Sequence, residues 1–231
     1  MRERPPHPMK PSVRRTTLAV DVVVLSPNAN ALAVLLVRAP AGARERWTLP
    51  WDAPQADEGL EEAAARIAGS ALGTAPAFFE QVGAFADGKR HPGDAEVSVG
   101  IVALFPAGAG SPVADAEWFP LAGLPALAPR QRAVVERAAA VVRQRVDQSP
   151  LAFRLLPATF TLTDLQSIYE LLLSRRLHKA SFRRALQASY LVEPTDEWRT
   201  EGRGRPAQLF RFAPKKRRGA RRGVRFDLFS E

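Results

Sequence analysis

The stretch from Phe160 to Phe212 constrains this chain most, because its apolar residues pass from helical spacing to strand spacing within one short segment. Leu165, Ile168, Tyr169, Leu172 and Leu173 recur with helical period, and Thr163 with Gln166 three residues later has capping-box spacing, so an amphipathic helix is expected to begin there. Ser174 to Leu177 break it. A second helix is expected over 179–190, with Phe182, Ala185, Leu186 and Tyr190 as its apolar stripe and Lys179, Arg183, Arg184 and Gln187 on other faces. Leu191 to Pro194 and Ala207 to Phe212 then read as paired strands around the tip Gly202-Arg203-Gly204-Arg205-Pro206, whose glycines permit unusual backbone angles.

Helix, turn, basic helix and a hairpin with arginines at its tip is the pattern of a winged helix, a shape that reads DNA or binds other proteins. Charge separates the two uses. Residues 175–231 hold 16 Lys+Arg against 6 Asp+Glu, whereas residues 1–174 hold 17 against 18, so the net +9 of the 231-residue chain lies in its last quarter. Such asymmetry is the electrostatic footprint of a phosphate-binding module joined to a neutral domain. Among Lys179, Ser181, Arg183, Arg184 and Gln187 at least one base contact is expected, with Phe182 and Leu186 as core. Arg203 and Arg205 are expected to reach phosphate or a minor groove. His178 reads as a weak cap or a solvated side chain and gives no sign of a metal. Residues 214–231, with Lys215-Lys216-Arg217-Arg218 and Arg221-Arg222, form a basic tail that can follow a phosphate backbone.

Residues 1–16 are rich in Pro and Arg without an apolar core, and read as a loose arm rather than a signal peptide. No cysteine is present, which excludes disulfides, thiol catalysis and cysteine-type zinc fingers. The apolar runs Leu18 to Leu25 and Ala31 to Val37 are too short to span a bilayer, so a cytoplasmic protein without membrane contact is expected. Over residues 17–148, Thr17 to Ser26 and Ala31 to Arg38 read as strands. A short strand ends at Trp47-Thr48-Leu49-Pro50, and a loop is expected over Trp51 to Glu58. A helix follows from about Gly59 to Leu72, burying Leu60, Ala63, Ala64, Ile67 and Ala71 and ending at Gly73. Strands near Phe79 to Phe85 and Val97 to Phe105, an extended Glu117 to Pro120 and a helix over Arg130 to Val146 complete an α/β (α+β) fold, a mixed sheet with packed helices. Residues 149–159 read as linker to a winged helix-turn-helix domain over 160–213.

The run LPWDAPQADEGLEEAAARIAGSALG resembles the Nudix box, the strand-loop-helix signature of enzymes that hydrolyse nucleoside diphosphate derivatives. Glu58, Arg66 and Gly73 fall at the expected intervals. At the positions of the three helix glutamates that would hold divalent metal stand Ile67, Ser70 and Ala71, and Asp52 replaces the opening glycine. Isoleucine and alanine offer no oxygen to a hard cation, so neither catalysis nor metal binding is expected. A divergent hydrolase remains the alternative, and a nonspecific architectural DNA binder a third reading.

Taken together, the chain from about residue 17 to 212 resembles the Nudix-related transcriptional regulators. The resemblance is carried by Phe79-Glu80-Gln81-Val82, by Lys89 to Val99, by Trp118-Phe119-Pro120, by the join Ser149 to Thr163, and by Phe182-Arg183-Arg184 with Gly202 to Gln208. It implies a repressor, commonly of NAD-metabolism genes, that binds an operator in double-stranded DNA as a homodimer. Release would follow entry of ADP-ribose or a related metabolite into the Nudix-like domain; no cofactor is implied. Trp51, Arg66 and Arg90 are then the candidate effector-binding residues. Arg66 can instead pair with Glu58, and Trp51 can be core. This chain departs from the family's loop with His91 before Pro92 and the acids Asp94 and Glu96 after it, which places the effector's identity in question.

Overall fold

The computed structural model describes residues 16–28, 30–200 and 206–213. The expected arm, the wing-tip arginines Arg203 and Arg205, and the basic tail lie outside the described residues. The first unit runs β1 (Leu18–Asn28), β2 (Ala31–Arg38), β3 (Trp47–Thr48), β4 (Trp51–Asp52), α1 (Leu60–Leu72), β5 (Phe78–Phe85), β6 (Val97–Leu104), β7 (Ala116–Pro120) and α2 (Pro129–Val146). β1 is central because nearly every one of its residues is apolar and buried, which requires a cover on both faces. It lies parallel to β6 and antiparallel to β2; β5 extends the sheet beyond β6, and β3 and β7 each pair with part of β2. Alternate residues serve opposite faces. Val20, Val22, Val24 and Ile101 meet α1, while Val23, Leu25, Val102 and Leu104 join the cluster that includes α2.

Local chemistry sets the helix ends. The Gly59 N–H donates to Glu62 Oε2 at 2.8 Å at the start of α1, and Gly73, at φ +72°, turns the chain out of it. Trp51, read from sequence as loop, belongs to β4 and pairs with Asp21 of β1. A two-residue strand gives no periodicity from which to read it.

The second unit runs β8 (Thr159–Phe160), α3 (Leu162–Leu173), α4 (Lys179–Ser189), β9 (Val192–Arg199) and β10 (Ala207–Phe212), with sheet order β8-β10-β9. The box that caps α3 is Thr161 with Asp164 rather than Thr163 with Gln166. Asp164 N–H donates to Thr161 Oγ1 at 3.1 Å, and Thr161 N–H donates to Asp164 Oδ2 at 2.8 Å. Both pairs have the same spacing, and β8 decides between them by placing Thr161 at the end of the strand. Gln166 instead donates to Leu177 O and Glu170 Oε1, closing the turn that leads to α4. Phe182 and Leu186 are buried, but Tyr190 is half-exposed at a left-handed C-cap (φ +54°) instead of completing the apolar stripe. β9 continues past Pro194 to Arg199, its extension hidden in the sequence by the polar residues Thr195, Asp196 and Glu197.

Arg199 closes the root of the wing onto the start of α3, its Nη2 donating to Asp164 Oδ1 and Oδ2 at 2.9 and 2.7 Å. Asp164→Ala removes the carboxylate that accepts from the Thr161 N–H together with the ion pair, leaves the Thr161 Oγ1 cap on the backbone, and is expected to cost about 1–2 kcal/mol, most of it the orphaned Thr161 N–H. Arg199→Ala leaves both bonds of the capping box and should cost under about 1 kcal/mol, because both partners are about one-third exposed. Urea denaturation of the two variants checks this; equal losses would contradict the assignment.

The segment between the units is itself core. Residues 151–155 form a 3₁₀ turn with Leu151, Ala152, Phe153 and Leu155 buried. One apolar cluster runs from Val23 and Val102 of the sheet through Val135 and Val142 of α2 to Phe153, Tyr169, Phe182 and Leu191. The two units share a continuous interior.

Candidate nucleic-acid interface and sensor cleft

α4 presents Lys179, Arg183, Arg184 and Gln187 to solvent, with Ser181 half-buried and within 3.3 Å of His178 Nδ1. Lys179, Arg183 and Gln187 are one turn apart and form a line along the helix. Among the described residues none of the three cations has a carboxylate within 4.0 Å, so their charge faces outward. His178 precedes the first turn and makes no side-chain cap to the helix backbone.

On the other face of the sheet from α2, a cleft of about 310 Å³ opens beside α1, lined by residues that include Val37, Trp51, Asp52, Arg66, Ile67 and Ala71. Ser70 also lines it, its hydroxyl donating back to Ile67 O at 2.9 Å. The face that would carry a row of carboxylates in a Nudix hydrolase therefore carries an alkyl group, a self-bonded hydroxyl and a methyl. This donor set does not fit a divalent cation, which requires several oxygen ligands. Among the described residues no three His, Cys, Asp or Glu side chains gather as a metal site would need.

Arg66 is held on both sides. Its Nε and Nη2 donate to Glu58 Oε1 and Oε2 at 2.8 and 2.9 Å, Nη1 donates to Asp52 Oδ2 at 2.7 Å, and Nη2 also reaches Ala53 O at 3.1 Å. Asp52, in place of the glycine that opens a Nudix box, supplies the second carboxylate. The Arg66 guanidinium, aided by the Gln55 N–H, lowers the Glu58 carboxyl to about 2, and the same contacts raise Arg66. A carboxyl depressed in the folded state stabilises above its ordinary value near 4.5, and that contribution disappears as pH falls toward about 2. Glu58→Gln should thus flatten the acid limb of a stability–pH curve in that window; chemical denaturation at pH 7, 4.5 and 3 measures it, and unchanged curvature would remove Glu58 from this role.

Of the other effector candidates, Trp51 lines the cleft but Arg90 does not. Arg90 is paired with Glu45, and its carbonyl accepts from the Arg130 N–H. The loop carrying Arg90 nevertheless leans on Trp51. His91 meets the indole edge-on at 4.8 Å between ring centres, and a Cβ at Gly93 would fall 2.0 Å from Trp51 Cη2. Only a glycine allows so close a cover.

Behind His91 lies a buried polar chain whose role sequence reasoning missed. Gln131 Nε2 donates to Asp21 Oδ1 at 2.7 Å, and Gln131 Oε1 accepts from Thr48 Oγ1 at 2.8 Å and from the Leu49 N–H at 3.1 Å. The Gly93 N–H lies 3.1 Å from His91 Nδ1, which makes that nitrogen the acceptor and leaves Nε2, 3.2 Å from Asp21 Oδ1, as the donor. The available signal was Asp21 itself, one acid inside the run LAVDVVVL. Through these bonds the loop carrying His91, β1, β3 and the first turn of α2 are one hydrogen-bonded unit.

A Nudix-like fold with Ile67, Ser70 and Ala71 along the cleft beside α1, continuous with a winged helix whose second helix presents cations that have no carboxylate within 4.0 Å among the described residues, has the architecture of a Nudix-related transcriptional regulator. Residues 15–138 match the NUDIX domain, and residues 152–212 match the NrtR DNA-binding winged helix domain. The chain is 33% identical over 206 residues to the ADPR responsive transcriptional repressor NtrR of Acinetobacter baylyi, covering 85% of this chain and 82% of the relative. Shewanella oneidensis NrtR complexed with a 27mer DNA superposes with a TM-score of 0.72 at 31% identity, over 85% of this chain and 94% of that one. A MutT/nudix family protein from Enterococcus faecalis, 20% identical, shares the fold with a TM-score of 0.67 over 88% of this chain and 89% of its own. The chain belongs to the NrtR family of transcriptional regulators. Among the described residues no helix is long and apolar enough to cross a membrane.

Proposed function

We propose that this chain represses transcription by binding an operator in double-stranded DNA through α4 and the wing, and that a nucleotide metabolite of the ADP-ribose class in the Nudix-like cleft relieves that binding. The observation that carries it is the outward set Lys179, Arg183, Arg184 and Gln187, without carboxylate partners among the described residues, on a helix whose buried residues belong to the same interior as α2. Ser181 adds a hydroxyl at the start of the row, and in this reading Arg203 and Arg205 contact phosphate or the minor groove. The S. oneidensis relative was solved with DNA, and the A. baylyi relative is described as ADPR responsive.

In this reading Trp51 offers an aromatic face to the base, and Arg66 a guanidinium whose carboxylate partners must be loosened before it meets a diphosphate. Arg90, released from Glu45, is the cation the loop would bring in. Ligand contact at Trp51 would move His91, then Asp21 and Gln131, and so the N-terminal end of α2. Because α2 and α3 share their apolar faces, the loop and the reader are mechanically joined. Ile67, Ser70 and Ala71 leave no site for the metal that hydrolysis needs, so the ligand is bound without being cleaved. A homodimer matches the two-fold symmetry of a palindromic operator.

Fluorescence anisotropy with the chain's own upstream region tests the reading. Preference over random DNA, reversed by added ADP-ribose, is expected; equal affinity for both DNAs would favour an architectural binder. Incubation with ADP-ribose and Mg²⁺ or Mn²⁺ should return the nucleotide intact. Turnover at enzyme-like rates would make the protein a hydrolase instead.

A further inference from the structure

A second recess lies where the two units meet. It is a groove of about 840 Å³ between α2 and α3, far larger than the cleft beside α1. Periodicity explains its walls. Arg132, Glu136, Ala139 and Arg143 recur along one face of α2, and Ser167, Glu170 and Leu171 along one face of α3, with Ser174 at its C-cap. Its floor is aliphatic, from Leu32, Pro120, Leu121, Leu124, Val135 and Leu171.

The rim is cationic. Four arginines, 132, 143, 175 and 176, stand against two glutamates, 136 and 170. Both glutamates are engaged: Glu136 accepts from Arg132 at 3.4 Å, and Glu170 accepts from the Leu177 N–H, Gln166 and Arg176 at 2.9, 3.0 and 2.9 Å. Burial alone would raise the Glu170 carboxyl, yet those hydrogen bonds together hold it below its ordinary value, so it stays charged and committed to Arg176 and the turn. Arg143 and Arg175, one on α2 and one in the turn that leads into α4, have no carboxylate within 4.0 Å among the described residues. The groove therefore has two uncommitted guanidinium groups above an aliphatic floor. Guanidinium forks match phosphate oxygens in pairs, and an uncompensated +2 matches a dianion.

We propose that this groove is a second ligand site, distinct from the cleft beside α1, and that it takes a small metabolite carrying a diphosphate on a largely non-aromatic body. Among the described residues no aromatic side chain lines the groove, so the body is selected by aliphatic contact and not by base stacking. Because Arg175 lies four residues before Lys179, an occupant bears directly on the segment that aims the recognition helix. Binding here is independent of the effector reading; only its consequence for DNA rests on that reading.

Titration calorimetry on the full chain with inorganic pyrophosphate, and separately with ADP-ribose, distinguishes the sites. Arg143→Ala/Arg175→Ala alters two exposed side chains, and Ser70→Trp fills the cleft beside α1. Pyrophosphate should bind wild type and the Ser70→Trp variant alike and weaken by tenfold or more in the double variant, about tenfold being the expectation for one lost charge-assisted contact. ADP-ribose binding should be lost in Ser70→Trp if the cleft is the effector site, whatever pyrophosphate does. Pyrophosphate affinity unchanged by the double substitution, or abolished by Ser70→Trp, overturns the proposal. So does failure of pyrophosphate to bind wild type, whether the double variant then loses DNA affinity, which would make these arginines backbone contacts, or changes in mass by light scattering, which would make the groove an interface between copies.

Discussion

Arg183→Ala/Arg184→Ala is expected to lower operator affinity by at least tenfold and to reduce the preference for operator over random DNA. The two arginines are consecutive on the exposed surface of α4, and among the described residues neither has a carboxylate within 4.0 Å, so binding DNA breaks no ion pair there. A guanidinium paired bidentately with guanine is worth about 1–3 kcal/mol of discrimination. One that touches phosphate adds affinity alone and steepens log K against log salt by about 0.9. The single variants therefore separate the roles. A base-reading arginine, once removed, lowers specific binding while leaving the salt slope nearly intact; a phosphate-binding one weakens operator and random DNA equally and flattens the slope. Buried Phe182 immediately before them holds the register, so both side chains should remain on the solvent face in either variant. If the double variant binds as wild type does, α4 is not the reading element.

The features legible in the sequence were those written as a period or a fixed interval. The apolar recurrence of Leu165, Ile168, Tyr169 and Leu172 announced α3, and the valines of β1 announced a strand. Glu58, Arg66 and Gly73 announced the strand-loop-helix frame. What stayed hidden depends on distant partners. Thr161 and Thr163 have equal claims to a cap until β8 is placed. Tyr190 fits the stripe by spacing, but the left-handed turn at that residue points it outward. Gln131 lies 110 residues from Asp21, and no interval in the sequence links them. Arg90 looks available in the sequence because Glu45, its partner, is 45 residues away.

Phe153→Ala is expected to be the most damaging single core substitution at the join, costing about 3–5 kcal/mol. Phe153 is only 7% exposed, and its ring lies 5.9 Å from Phe160, 6.4 Å from Tyr169 and 4.6 Å from Phe212, so it gathers β8, α3 and β10 onto the segment that follows α2. Net stabilities of folded proteins are about 5–15 kcal/mol, so this is a large share of the whole. Because one apolar cluster spans both units, the loss should be felt by both: thermal unfolding of wild type should be a single cooperative transition, and the variant should shift that transition without splitting it. Phe153→Leu, which keeps most of the volume, should cost distinctly less, and the gap between the two variants measures how much of the effect is cavity. Two resolved transitions in wild type, with only the later element of the chain destabilised by Phe153→Ala, would mean that the shared interior does not couple the units. The route from Trp51 through Gln131 and α2 would then end at α2, and relief of DNA binding would have to act through the way two copies of the chain assemble on the operator.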